Sequence, residues 1–354
     1  MLGIMTETHV ILLFMTEHIA LYRKYRPKNF DEVLGQDHIV TALQGTIDNK
    51  KISHAYLFSG IRGTGKTTVA RIFAHEIGAT DNDIYEIDAA SNRGIDDVRE
   101  LREAVQTLPI DSPYKVYIID EVHMLTKDAF NALLKTLEEP PAYVVFILAT
   151  TEPEKVLDTV RSRCQMFAFR QPNEQLLQDV VIDIAKKEGN TIDKEAAELI
   201  ALLGDGSFRD TESVLQKVLS SSSEKNITAD MVAELTGAPT TQIIHDLVEA
   251  LARGDADKGL QAIHRAVEQS ASMSLLLSLL IQKVRLVLLL RYAPGMKKDI
   301  ADDVSEDEFA FLEKFVGAEG KDLNSKTLQQ LVEASKMMKY ASVPSVALEM
   351  IFYS

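Results

Sequence analysis

"AYLFSGIRGTGKTTVARIFA" spans residues 55–74, and the fold turns on how it is read. An apolar run, "AYLFSG" (55–60), has the length and composition of a short buried strand. A glycine-rich turn follows, and the spacing predicts a helix from about Lys66 to Ile77. Within the turn, "GIRGTGKT" (60–67) fits the phosphate-loop pattern GxxxxGK[ST] in the required place, after a strand and opening a helix. Gly60, Gly63 and Gly65 let the backbone curl around an anion without a Cβ in the way. The N-terminus of the helix favours negative charge. Lys66 would neutralise terminal phosphates, and the Thr67 hydroxyl would ligate Mg²⁺. Thr64 and Thr68 complete the expected nucleotide-binding set.

Outward from this loop the same rhythm continues. "DIYEIDA" (83–89), "YKVYIIDEV" (114–122), "YVVFILATT" (143–151) and "QMFAFR" (165–170) read as further strands, with helices over 94–106 and 127–138. Strand and helix in alternation predict an α/β domain with a parallel sheet covered on both faces. After "RQPNEQ" (170–175) the pattern is almost wholly helical. The expected divisions are a leader over 1–18, a nucleotide-binding domain over 19–170, a small helical domain over 171–237 and a helical domain over 238–354. The serine run 220–223 reads as a loop, and the acidic "DIADDVSEDE" (299–308) as an interruption of the last bundle.

A single cysteine, Cys164, excludes a disulfide framework and any cysteine-rich zinc site. The most apolar run, "MSLLLSLLIQKVRLVLLLRY" (273–292), contains Gln282, Lys283 and Arg285, so it reads as a buried helix and no membrane contact is expected. The net charge of −15 argues against a surface that grips nucleic acid throughout. Residues 1–170 carry 19 Lys and Arg against 24 Asp and Glu, whereas 171–354 carry 19 against 29. A DNA contact would therefore be local and N-terminal, with the acidic remainder facing protein or water.

The strand "VYIIDEVH" (116–123) ends in two carboxylates. Asp120 is placed to hold Mg²⁺ and Glu121 to polarise an attacking water; His123 reads as a packed histidine. Thr150 and Thr151 end the fourth strand, where they either orient a water near a phosphate or cap the helix expected at Pro153. In "GDGSFRD" (204–210), Arg209 either reaches the nucleotide of its own subunit or pairs with Asp205 or Asp210 at the surface. In "DTVRSRCQMF" (158–167), Arg163 precedes the last strand. It serves either structural packing, beside Cys164 as a small hydrophobe, or the nucleotide of a neighbouring subunit.

Taken together, "LYRKYRPKNFDEVLGQDHIV", "EIDAASNRGIDDVRELRE", "DEVHMLTKDAFNALLKTLEEPP", "ILATTEPEK", "SRCQMFAF" and "GSFRD" resemble the bacterial DNA polymerase III gamma/tau family, the AAA+ ATPase motor of the sliding-clamp loader. The likeness is strong over about 20–237 and weaker beyond. It implies an AAA+ domain, a helical lid and a C-terminal collar that holds a hetero-oligomer, a pentamer in the family. ATP and Mg²⁺ would be the cofactors. Partners would be delta- and delta-prime-type loader subunits, the sliding clamp and primed-template DNA held without sequence preference, in the bacterial cytoplasm. Thr151 would take the sensor-1 place, Arg209 the sensor-2 place in cis, and Arg163 the trans arginine. Arg26, Pro27, Val33 and Leu34 would line the adenine pocket. Asn92, Arg93 and Lys135 map to DNA-facing positions. Many relatives carry a four-cysteine zinc module after the first helix; here that interval is "HEIGATDNDIY" (75–85), so no zinc is expected. The chain ends where the collar would, like the short gamma form. Two other functions stay open on the sequence: another AAA+ DNA motor or helicase loader, and a scaffold that binds nucleotide without turnover.

Overall fold

The computed structural model describes residues 19–91, 94–222, 224–338 and 340–353, so the leader 1–18 lies outside the described residues. The chain divides into two compact units, one ending at Gln171 and one beginning at Pro172.

The first unit is built on a five-stranded parallel sheet: β1 (Ala55–Ser59), β2 (Ile84–Asp88), β3 (Lys115–Asp120), β4 (Val144–Thr150) and β5 (Gln165–Ala168), in the order β2-β3-β4-β1-β5. Alternation along each strand divides the core in two. Leu57, Tyr117, Ile119, Phe146 and Leu148 face one side, where they pack on α4 (Ile95–Val105) and α5 (Lys127–Glu138) through Leu101, Val105, Phe130 and Leu133. Tyr56, Phe58, Ile118, Val145 and Ile147 face the other. There they meet α2 (Asp37–Asp48) and α3 (Lys66–Glu76), whose Leu43, Val69 and Phe73 are fully buried. With helices on both faces the central strands carry no polar stripe, which is why β1, β3 and β4 read as continuous apolar runs. The short α1 (Leu21–Lys24) precedes α2, and α6 (Asp158–Arg161) joins β4 to β5.

The register brings the C-terminal ends of the strands to one edge. Ser59 pairs with Thr150 and with Ala168, and Asp88 pairs with Asp120. At the far end of β2, Asp83 is fully buried. It accepts the N–H groups of Ile110 at 2.7 Å and Asp111 at 3.1 Å, and the hydroxyl of Ser112. Burial pushes its carboxyl up, but these hydrogen bonds outweigh burial and hold the pKa at about 2. One carboxylate thus fixes the loop that feeds β3.

The second unit is helical: α7 (Glu174–Lys187), α8 (Lys194–Leu203), α9 (Phe208–Ser221), α10 (Ala229–Thr236), α11 (Thr241–Arg253), α12 (Ala256–Glu268), α13 (Met273–Tyr292), α14 (Lys297–Asp303), α15 (Glu306–Lys314), α16 (Ser325–Met338) and α17 (Pro344–Phe352). Three features differ from the sequence expectation. Two dipeptide strands, β6 (Thr191–Ile192) and β7 (Asn226–Ile227), pair in parallel; two residues are too few to leave a period. Ser220 and Ser221 belong to α9 rather than a loop. The acidic stretch 299–308 is helical apart from a break at Val304 and Ser305. The Ser305 hydroxyl accepts the Glu308 N–H at 3.2 Å, and acids in the first turn of α15 suit the helix dipole.

Helix α13 is long and apolar enough to cross a membrane by length and composition, and half of its most apolar window is buried inside the protein. Its Lys283 is buried between Glu198 at 3.4 Å and Glu308 at 3.1 Å. Glu308 in turn lies 2.8 Å from His245 Nε2. Burial disfavours the Lys283 cation, but the two carboxylates outweigh it and raise its pKa. A cation so enclosed ties α8, α11, α13 and α15 together.

Two outcomes follow for stability. Asp83→Asn should lower the unfolding free energy by about 1–3 kcal/mol at pH 7, because a buried acceptor is replaced in part by a donor. The depressed Asp83 pKa stabilises the fold above the ordinary carboxylate range, and that contribution fades as pH falls from about 4 toward about 2. Urea titrations across that range should therefore show the two proteins converging. Lys283→Met leaves two buried carboxylates without their cation, and denaturant unfolding at pH 7 should register a loss of about 3–5 kcal/mol.

Candidate functional site

The loop after β1 closes on itself. Lys66 is buried, and its Nζ donates to the carbonyls of Gly60 at 2.7 Å and Ile61 at 2.9 Å. Thr64 Oγ1 donates to the same Ile61 carbonyl at 2.9 Å. Burial pulls the Lys66 pKa down, against the pull of Glu121 and Asp120. Gly63 and Gly65 sit at φ +75° and +97°, in the left-handed region that favours glycine. Gly60, at φ +149°, backs directly on Phe169: a Cβ there would stand 2.8 Å from the Phe169 carbonyl oxygen. Phe169 is held in that place because its N–H donates to Ser59 O at 2.7 Å.

Beside the loop, Thr67 Oγ1 donates to Asp120 Oδ2 at 2.7 Å, joining the first turn of α3 to the end of β3. Asp120 Oδ1 takes the N–H of Glu121 at 2.9 Å. Glu121 lies at φ 49°, an uncommon conformation for a residue with a side chain, and opens the short 3₁₀ turn Val122–Met124. That turn sends the Glu121 carboxylate toward β4. There its Oε2 accepts from Thr151 Oγ1 at 3.0 Å and Thr151 N–H at 3.3 Å. Thr150 is fully buried, and its hydroxyl lies 3.0 Å from His123 Nδ1.

This edge suits a nucleotide and its cation. The first N–H groups of α3 have no intrahelical acceptor, and at Gly65 a Cβ position would meet nothing within 4 Å. Thr67 and Asp120 supply hard oxygen donors side by side, as Mg²⁺ prefers.

The fold has a counterpart among proteins of known structure. A Thermotoga maritima RuvB Holliday junction branch migration motor superposes with a TM-score of 0.52 at 21% identity, over 64% of this chain and 79% of that one. That likeness is one of fold. Two family models match the sequence: "DNA polymerase III, delta subunit" over 35–92 and 78–173, and "DNA polymerase III subunits gamma and tau domain III" over 227–352. The gamma/tau subunit of Mycobacterium tuberculosis is 36% identical over 356 residues, covering 94% of this chain and 62% of that protein. Bacillus subtilis tau is 40% identical over 82% of this chain and 55% of its own length. The gamma subunit of Buchnera aphidicola is 40% identical over 67% of this chain and 71% of its own. The chain belongs to the DNA polymerase III gamma/tau family. It spans about 55–62% of the length of the M. tuberculosis and B. subtilis relatives.

Other residues singled out in this gamma/tau sequence stand elsewhere. The segment carrying Val33 and Leu34 is tied to the end of β5. Gln36 Nε2 donates to Arg170 O at 2.7 Å, and Gln36 Oε1 accepts the Arg170 N–H at 3.0 Å. Val33 packs against the core cluster that contains Phe30 and Phe169, and Leu34 is 46% exposed. The segment is thereby anchored next to Phe169, the residue on which Gly60 backs. Arg26 and Pro27 are half-buried in the turn after α1. Thr68 is half-buried on α3, and Lys135 is exposed on α5. Asn92 and Arg93 lie outside the described residues. Arg209 is exposed in the first turn of α9, in the second unit.

Arg163 precedes β5, whose Gln165 pairs with Tyr56 near the start of β1, so it stands at the opposite end of the sheet from the phosphate loop. Its guanidinium donates to Thr159 O at 2.6 Å and to Glu138 at 2.7 Å. Glu138 is 25 residues away on α5, and no local pattern announces it. Cys164 packs against the α4/α5 core, and burial pushes its thiol up to about 12. Among the described residues no group of three or more His, Cys, Asp or Glu is arranged to hold a metal.

Gly60→Ala tests the fit of the loop. The added Cβ would press on Phe169, and its backbone angle is unfavourable for alanine. The variant should melt at lower temperature in a calorimetric scan, by the equivalent of about 1–3 kcal/mol.

Proposed function

We propose that this chain is the ATP-hydrolysing motor subunit of a bacterial replicative clamp loader. The observation that carries the reading is the convergence, on one sheet edge, of the Lys66 loop, the Thr67–Asp120 pair and the Glu121–Thr151 pair. In this reading the loop backbone and Lys66 hold the phosphates of ATP, with Gly63, Thr64, Gly65 and Thr68 around them. Thr67 and Asp120 hold Mg²⁺, which when bound would offset negative charge on the phosphates. Glu121 orients and polarises water. Thr151 senses the γ-phosphate by turning its hydroxyl from Glu121 to the nucleotide while its N–H stays on Glu121. Arg26, Pro27, Val33 and Leu34 surround the base; the anchoring of the segment to Arg170 through Gln36 and the packing of Val33 on the adjacent core support this for Val33.

Arg163 acts on the ATP of the adjacent subunit. Support comes from its place at the far end of the sheet, where its own phosphate loop is out of reach. Arg209 takes the cis sensor-2 role that the family resemblance implies. Hydrolysis in an assembly with delta- and delta-prime-type subunits would then be coupled to opening the clamp and placing it on primed DNA in the bacterial cytoplasm. Asn92, Arg93 and Lys135 would touch phosphates and carry no sequence preference.

The assembled complex with clamp and primed DNA is the material for the test. Lys66→Ala should abolish ATP binding. Arg163→Ala should bind ATP normally yet lose about 10³-fold or more of the DNA-stimulated turnover. Full stimulated turnover in an Arg163→Ala complex would defeat the trans assignment, and turnover indifferent to clamp and primed DNA would defeat the loader reading as a whole.

A further inference from the structure

His123 has a task beyond filling space. Its side chain is only 6% exposed, and both ring nitrogens meet polar atoms. Nε2 lies 3.2 Å from Glu152 Oε1. Nδ1 lies 3.0 Å from Thr150 Oγ1 and 3.4 Å from Glu121 Oε2. Thr150 Oγ1 already accepts the Glu152 N–H at 3.0 Å, so its own proton is available to the ring. One tautomer serves the two nearer partners: Nε2–H faces Glu152, and Nδ1 accepts from Thr150. Lys155, 2.6 Å from Glu152, steadies the outer end. The residue between the two that His123 holds is Thr151, whose N–H and hydroxyl are the donors to Glu121.

We infer that His123 is a positioning residue for Glu121: it pins the Thr150–Glu152 turn, and through that turn fixes where the Glu121 carboxylate rests. The inference builds on the proposed role of Glu121 in hydrolysis. Glu121 occupies a left-handed backbone conformation that places its side chain within reach of this turn. The stem of a leucine at 123 would fill the space but hold nothing. Misplacement of a catalytic group by about 1 Å is worth about 10²-fold in rate, and the phosphate-loop contacts of Lys66 do not pass through His123.

Three variants separate the contacts. His123→Asn keeps a polar atom near the Nδ1 position and so the Thr150 contact; His123→Gln keeps one near Nε2 and so the Glu152 contact; His123→Ala keeps neither. In the nucleotide-free chain, hydrogen exchange at the Thr151 amide should speed up at least tenfold in the Ala variant and stay near wild type in the Asn variant. In the assembled complex the Ala variant should lose about 10²-fold in the maximal rate of ATP turnover with ATP affinity unchanged, and Asn should restore more than Gln. Unchanged Thr151 exchange in the Ala variant, or turnover within twofold of wild type, overturns the inference. If the Ala variant does not fold, the other two decide, and equal turnover of Asn and Gln overturns it. Glu121→Gln serves as the reference: full turnover there would overturn the underlying role of Glu121 instead.

Discussion

Parallel pairing is the constraint on which everything else rests. Five strands that run the same way leave their C-terminal ends along one edge, and the register sets Ser59 beside Thr150 and Asp88 beside Asp120. The phosphate loop, the acidic pair and the two threonines are far apart in sequence. They become neighbours only because each terminates a strand at the same height. The hydroxyl of Thr67 on the carboxylate of Asp120 closes this arrangement across 53 residues. A slip of one residue between β1 and β4 would turn every core side chain of one strand to the wrong face.

Much of this was legible in the residues. β1, β3 and β4 are covered on both faces, so their apolar runs are unbroken and easy to place. The glycine spacing around Lys66 is narrow enough to fix both the loop and the helix it opens. The acidic ending of "VYIIDEVH" located Asp120 and Glu121 for the same reason. What could not be read is what depends on contacts distant in sequence. Gln36 answers the backbone of Arg170 across 134 residues, and Glu138 answers Arg163 across 25. His123 looked like a packed histidine because no local pattern shows that its ring would lie between the ends of two strands. The dipeptide strands β6 and β7 are shorter than any period, and in the acidic stretch 299–308 the run of charge masks the Ser305 cap that starts a helix.

The two units use buried charge differently. In the first, Asp83 is satisfied by backbone N–H groups, so it organises a loop and needs no cation. In the second, Lys283 is enclosed by side chains from separate helices, with His245 behind one of them. Hydrophobic residues could fill the second arrangement, but they would not specify which helices meet. The cation on α13 therefore acts as a key for assembly as much as a source of stability.

The solitary thiol has a practical consequence. Cys164 is tucked against aliphatic carbon, and with its proton held so tightly it offers almost no thiolate to a maleimide or an oxidant at neutral pH. The half-buried native thiol is thus a slower target than a thiol on the surface would be. A cysteine introduced at any exposed position would accept a fluorophore or spin label alone, without first stripping out a natural one.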